Sequence, residues 1–61
     1  MGNKAIVTIV YTNGIGGQDV EIKEFKTDKA AMTEAKAELR WENTVKVFVE
    51  KRDGSVVKVE G

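Results

Sequence analysis

Residues 27 to 41 read TDKAAMTEAKAELRW and predict a helix from residue 28 to about residue 41. Thr27 can cap free backbone N–H groups, and Asp28 places an acid in the first turn, where the helix dipole favours negative charge. Alanine, Met, Leu, Lys and Glu dominate the segment, and all are good helix formers. At about 100° per residue, one sector of this helix should face the core. That sector carries Ala31, Met32, Ala35 and Leu39.

Two strands are predicted before this helix. Residues 4 to 12, KAIVTIVYT, are rich in β-branched residues and apolar on both faces, which is typical of a central strand. The glycine-rich stretch 13 to 17, NGIGG, predicts a chain reversal. Residues 18 to 26, QDVEIKEFK, alternate Val20 and Ile22 with charged residues, as edge strands do. The expected cross-strand pairs are Ile9 with Ile22 and Ile6 with Phe25.

Two more strands are predicted after the helix, at residues 44 to 51 and 55 to 60, joined by a turn at residues 52 to 54, RDG. A two-residue loop would set charged side chains against the valine face. A three-residue loop with Gly54 in a left-handed conformation instead pairs valine with valine. The three-residue loop predicts the pairs Val49 with Val57 and Val47 with Val59.

The predicted element order is therefore ββαββ, an α+β fold in which a four-stranded sheet packs on one helix. A right-handed crossover through the helix makes the third strand parallel to the second, and the charged second strand belongs at an edge. These rules predict a mixed sheet in the order 2-1-4-3, with strands 1 and 4 as the parallel central pair. The predicted core consists of Val7, Ile9, Val20, Ile22, Leu39, Val47, Val49, Val57 and Val59.

The run Glu24-Phe25-Lys26, followed by Thr27 and an alanine-rich helix, resembles the β-grasp roll of the immunoglobulin-binding domains of protein L and protein G. The likeness is strongest to protein L, and its helical part includes Ala31, Glu34 and Ala35. The order of the elements is similar along the whole chain, whereas the amino-acid sequence itself is similar over a short run of residues. The resemblance implies a ββαββ roll. Antibody binding is implied only as an analogy between folds, because small folds host many functions.

Length and composition exclude several classes of function. The chain has 61 residues, which is enough for one domain spanning residues 1 to 61. It contains no Cys and no His, so we expect no catalytic residues, no cofactor and no metal site. Ten Lys and Arg residues balance ten Asp and Glu residues, which disfavours nucleic acid as a partner. No targeting or membrane-spanning segment is recognised, so we expect a cytoplasmic protein without a membrane partner.

The solvent face of the predicted sheet is the first candidate binding surface. It collects apolar residues from all four strands, and a patch of that size usually marks a partner surface. The candidate partner-binding residues on it are Ile6, Val10, Phe25, Phe48 and Val56. In the alternative interpretation, the aliphatic stems of Lys23, Lys46 and Lys58 cover the rings and close the patch.

Trp41 is a further candidate partner-binding residue. On a helix that continues to residue 41, it lies on the outward face with Ala30 and Ala37, where tryptophan can anchor an interface. In the alternative interpretation, Trp41 follows the last helical turn and folds back over the open end of the core, since a small core needs its large side chains.

These features predict a small non-enzymatic protein-binding module. Its partner would be an unidentified protein or a second copy of the chain, bound through the outer sheet face as a homodimer. One alternative is a small nucleic-acid-binding domain that stacks bases on Phe25 and Phe48, with lysines around the rings. Another alternative is a scaffold, natural or designed, without a binding function, which the regular alternation of the strands suggests.

Overall fold

The computed structural model describes residues 3 to 60, which form four β-strands and one α-helix. The elements are β1 (Ala5–Thr12), β2 (Gln18–Phe25), α1 (Asp28–Glu38), β3 (Thr44–Glu50) and β4 (Val56–Val59). One face of the sheet packs against α1, and the core lies between them. This confirms the predicted α+β class and the ββαββ order, which is consistent with a fold like that of protein L and protein G.

The strands lie in the order β2-β1-β3-β4, and every neighbouring pair is antiparallel. The predicted mixed sheet with the order 2-1-4-3 is therefore wrong, since β3 and not β4 lies beside β1. Strand length gives the physical reason, because β4 has four residues whereas β3 has seven. In the centre of the sheet, β3 pairs with β1 at six positions. Strand β4 is too short to form six such pairs. A short strand at the edge also exposes few free backbone groups.

The hairpin between β3 and β4 has the predicted three-residue loop. The Lys51 N–H donates a hydrogen bond of 2.7 Å to the Ser55 carbonyl, and Gly54 has a φ of 94°. Within the loop, the Asp53 carboxylate accepts hydrogen bonds from the hydroxyl and the N–H of Ser55, which lowers the pKa of Asp53. The confirmed cross-strand pairs are Val49 with Val57 and Val47 with Val59.

A five-residue loop joins β1 to β2, because Thr12 lies opposite Gln18. The side-chain oxygen of Asn13 accepts hydrogen bonds from the N–H groups of Ile15 (3.1 Å) and Gly17 (3.2 Å). The backbone at residues 14 and 16 is left-handed, with φ values of 83° and 88°, a conformation that favours glycine. The loop is therefore closed by its own local hydrogen bonds, and its length determines the register of the two strands.

The register between β1 and β2 differs from the prediction by one residue. Ile9 lies opposite Glu21, whereas it was expected opposite Ile22. Because neighbouring residues of a strand point to opposite faces, this shift moves every side chain of β2 to the other face of the sheet. Val20 and Ile22 are consequently 58% and 65% exposed, so the prediction that both are buried is wrong.

The core is small and consists mainly of valine and alanine. Its buried residues are Ala5, Val7, Ile9, Ala31, Ala35, Val47, Val49 and Val59, with Tyr11, Phe25, Met32 and Leu39 packed against them. The prediction is confirmed for Val7, Ile9, Val47, Val49 and Val59, whereas Val57 and Leu39 are half-buried. The predicted core-facing sector of α1 is also confirmed, since its alanines are buried and its larger residues pack against the core.

Helix α1 begins where the sequence predicts and ends earlier. The Thr27 hydroxyl oxygen accepts a hydrogen bond of 3.1 Å from the Ala30 N–H, as expected of the cap. The helix ends at Glu38, whose carbonyl accepts a hydrogen bond of 2.8 Å from the Thr44 hydroxyl. Trp41 therefore follows the last helical turn. It is 65% exposed, however, so most of its surface lies in solvent and not over the core.

Candidate interaction face

The face of the sheet that points away from α1, called the outer face below, carries three rows of side chains across β2, β1, β3 and β4. The first row is Glu24, Ile6, Glu50 and Val56; the second is Ile22, Thr8, Phe48 and Lys58; the third is Val20, Val10 and Lys46. The fold thus brings apolar side chains from all four strands onto one surface.

The apolar residues of the outer face are accessible to solvent. Val56 is 62% exposed at the β4 edge, and Val20 and Ile22 are exposed to a similar extent at the β2 edge. Ile6, Val10 and Phe48, which lie between these edges, are half-buried. Single exposed apolar residues are common, but a contiguous group of them on a small domain makes this face the candidate interaction surface.

The structure places four of the predicted partner-binding residues together on the outer face, namely Ile6, Val10, Phe48 and Val56. Phe25 does not join them, because it lies opposite Ala5 on the helix side and packs against the core. The expected pair of Ile6 with Phe25 is wrong for the same reason, and Glu24 lies opposite Ile6. Val20 and Ile22, which sequence reasoning assigned to the core, take the place of Phe25 on this face.

Lys23 of β2 lies on the helix side of the sheet, where α1 supplies two carboxylate partners for it. Lys23 Nζ lies 2.7 Å from Glu34 Oε2 and 3.1 Å from Glu38 Oε1, and these hydrogen bonds raise the pKa of Lys23. Glu34 and Glu38 are like charges four residues apart, a spacing that destabilises a helix unless a cation neutralises it. That spacing was the signal in the sequence that could have placed Lys23, and with it the polar side of β2, toward the helix.

Replacing Lys23 by Gln should lower the free energy of unfolding by about 1 kcal/mol at low salt, because Glu34 and Glu38 then repel each other without a cation between them. The control Lys4→Gln removes only an exposed ion pair of 3.6 Å with Glu24 and should cost less than about 0.5 kcal/mol. Urea unfolding at low and high salt measures both losses. Equal losses in the two variants would contradict the assigned network.

The contribution of Lys23 also has a defined dependence on pH. Its pKa in the folded chain is raised above the ordinary value of 10.5. A raised pKa stabilises the folded state fully below the unfolded value, and this stabilisation is lost as the pH rises through the folded value. The difference between wild type and Lys23→Gln should therefore stay constant through neutral pH and shrink in strong alkali, where Lys23 loses its proton.

The aliphatic parts of the lysine side chains do not cover the β2 side of the outer face. Lys23 lies on the helix side, so the alternative in which it covers this face is wrong. Lys46 and Lys58 do lie on the outer face, in the part formed by β3 and β4. Val20 and Ile22 lie across β1 from that part and remain exposed.

Trp41 belongs to a separate cleft on the helix side, beside the C-terminal end of α1. The cleft has a volume of about 220 Å³, and its walls include Tyr11, Glu21, Glu38 and Trp41. Lys23 forms ion pairs with both carboxylates of this cleft, Glu21 and Glu38, so their negative charge is balanced by a residue of the same chain. Among residues 3 to 60, no group of three or more acidic, His or Cys residues is placed to hold a metal ion.

Helix α1 is too short and too polar to cross a membrane, and residues 3 to 60 contain no helix that could do so. The element order agrees with that of the immunoglobulin-binding roll, whereas the observed strand order β2-β1-β3-β4 is not the predicted 2-1-4-3. Comparisons of the chain with protein-family models, with curated proteins and with solved structures found no match.

Proposed function

We propose that this chain is a non-enzymatic protein-binding module that associates with a second copy of itself through the outer face. The observation that carries the proposal is the exposure of Val20, Ile22 and Val56 beside half-buried apolar neighbours on one sheet. The hydrogen-bonded strands hold these side chains in fixed positions, so little conformational entropy is lost when a partner covers them.

A protein suits the outer face better than a nucleic acid does. Sheets that bind nucleic acids stack bases on aromatic side chains and hold phosphates with cations. Within the three rows, Phe48 is the one aromatic residue. Glu24 and Glu50 offset the charge of Lys46 and Lys58 on the same face, so phosphates gain no net attraction.

A second copy suits the outer face because the face is complementary to itself. Glu50 lies in the first row and Lys46 in the third, and the apolar residues Ile22 and Phe48 lie in the row between them. Two identical faces packed with their ends reversed bring Glu50 of each copy close to Lys46 of the other and set the apolar residues of β1 and β3 against each other. Two-fold pairing of this kind is the commonest form of self-association.

Replacing Ile22 and Phe48 together by Thr should abolish self-association and preserve the fold. Thr suits a strand, and both residues lie on the outer face, so the free energy of unfolding should fall by less than about 2 kcal/mol. Sedimentation velocity up to about 1 mM protein measures association, since a weak dimer requires such concentrations. Circular dichroism and thermal unfolding of the dilute protein report the fold.

Trp41→Ala is the matched control, because Trp41 is exposed and lies outside the outer face. This variant should associate as the wild type does. Loss of association in Trp41→Ala, with association retained in Ile22→Thr/Phe48→Thr, would move the binding surface to the helix side. A wild-type chain that stays monomeric would favour a scaffold without binding function, and salt-sensitive binding of a labelled single strand would favour the nucleic-acid alternative.

A further inference from the structure

We infer that two copies pack outer face to outer face about a two-fold axis running across the strands, with Lys46 of each copy beside Glu50 of the other. The inference rests on the proposed self-association and names the charged residues by which one copy recognises another. It is derived from the positions of the three rows, which the strand registers determine.

An axis across the strands lays each strand over its own copy and reverses the order of the rows. The first row then meets the third, so Ile6 faces Val10 of the second copy and Glu50 faces Lys46 of the second copy. The middle row meets itself, so Phe48 packs on Phe48 of the second copy. In the two central strands, apolar residues thus meet apolar residues and opposite charges meet each other. At the edges of the sheet, Glu24 faces Val20 of the second copy and Lys58 faces Lys58 of the second copy, and these two charged residues are exposed in the single chain.

An axis along the strands gives a poorer match. It lays β2 over β4 and β1 over β3. The opposed residues would be Ile22 and Lys58, Ile6 and Glu50, and Val10 and Lys46. Charged groups would lose water against apolar side chains without gaining a partner, which costs free energy. The axis across the strands is therefore the one that the outer face favours.

Lys46 and Glu50 are available for contacts between copies. They lie four residues apart on β3, on the same face, so about 13 Å separates them along the strand. Across residues 3 to 60, neither takes part in an ion pair within 4.0 Å. In the dimer, Lys58 would lie beside Lys58 of the second copy at the β4 edge of the sheet. Lys58 already forms an ion pair with Glu60, in which 3.7 Å separates Nζ from Oε1.

The size of the outer face predicts a weak dimer. Four strands about 4.8 Å apart, with rows about 6.7 Å apart, form a face of roughly 19 by 20 Å. Two such faces bury roughly 800 Å² in total, which is less than stable specific interfaces bury and falls in the range of weak, transient ones. We expect a dissociation constant between about 10 μM and 1 mM.

Charge exchange at the two recognition residues tests this arrangement. Lys46→Glu and Glu50→Lys each bring like charges together at two symmetric contacts, so each variant alone should raise the dissociation constant about tenfold. An equimolar mixture of the two variants restores opposite charges at both contacts. The double variant Lys46→Glu/Glu50→Lys restores them within its own homodimer. Both should return to within about threefold of the wild-type value.

Sedimentation equilibrium measures these constants, and thermal unfolding confirms that each variant folds. Lys29→Glu is the control for net charge, since Lys29 is exposed on α1 and should leave association unchanged. Absence of recovery in both the mixture and the double variant would overturn the arrangement. If the charge variants change nothing while Ile22→Thr/Phe48→Thr loses association, the outer face is the interface but the axis is wrong. A monomeric wild type overturns both proposals.

Discussion

Ile9→Ala should lower the free energy of unfolding by about 2 to 5 kcal/mol. Ile9 is 2% exposed and belongs to the buried cluster between the sheet and α1, so truncation removes buried carbon atoms and leaves a cavity. A chain of this length is stabilised by about 3 to 9 kcal/mol in total, so the variant should lose a large share of its stability. Its midpoint of thermal unfolding should fall by more than about 10 °C.

Ile22→Ala is the matched control for this experiment, because it makes the same chemical change at a residue that is 65% exposed. We expect its loss of unfolding free energy to stay below about 0.5 kcal/mol. Both variants are unfolded in urea at a protein concentration low enough to keep the chain monomeric, since self-association would add apparent stability. A loss at Ile22 equal to that at Ile9 would support the register predicted from sequence and contradict the observed one.

Ala35→Leu should lower the free energy of unfolding by about 1 to 3 kcal/mol. Ala31 and Ala35 are both 0% exposed, and their small side chains let α1 lie close to the sheet. A leucine at residue 35 adds carbon atoms where no space is left, so α1 must move away from the core or its neighbours must adopt strained rotamers. Helix propensity does not explain the loss, because Leu and Ala are both strong helix formers.

Ala37→Leu is the control for Ala35→Leu, because Ala37 is exposed on the same helix. This variant should change the free energy of unfolding by no more than about 0.5 kcal/mol in either direction. Chemical denaturation followed by circular dichroism measures both changes. Equal losses at the two alanines would show that the face of α1 against the sheet has been assigned wrongly.

The candidate site could be predicted from sequence for β1, β3 and β4 and not for β2. Alternation within a strand decides which residues share a face, so Ile6, Phe48 and Val56 follow once the valines of the same strands are assigned to the core. Strand β2 offers apolar residues on both faces, with Ile22 on one and Phe25 on the other. Its hydrophobic pattern therefore does not determine its orientation, and the ion pairs of Lys23 with α1 favour the face that sequence reasoning rejected.

Features that depend on neighbouring residues follow from the sequence alone. These are the five elements, the Thr27 cap, the alanine face of α1 and the three-residue loop at Gly54. Each rests on interactions within a few positions of the chain, so a local pattern is sufficient to predict it.

The strand order and the orientation of β2 follow from the packing of the whole chain and not from any local pattern. Both depend on competition between distant segments: β3 and β4 compete for the free edge of β1, and both sides of β2 compete for the space under α1. The outcome depends on how many backbone pairs each strand can form and on which charges find partners across the fold. Those quantities exist only once the chain has brought the segments together.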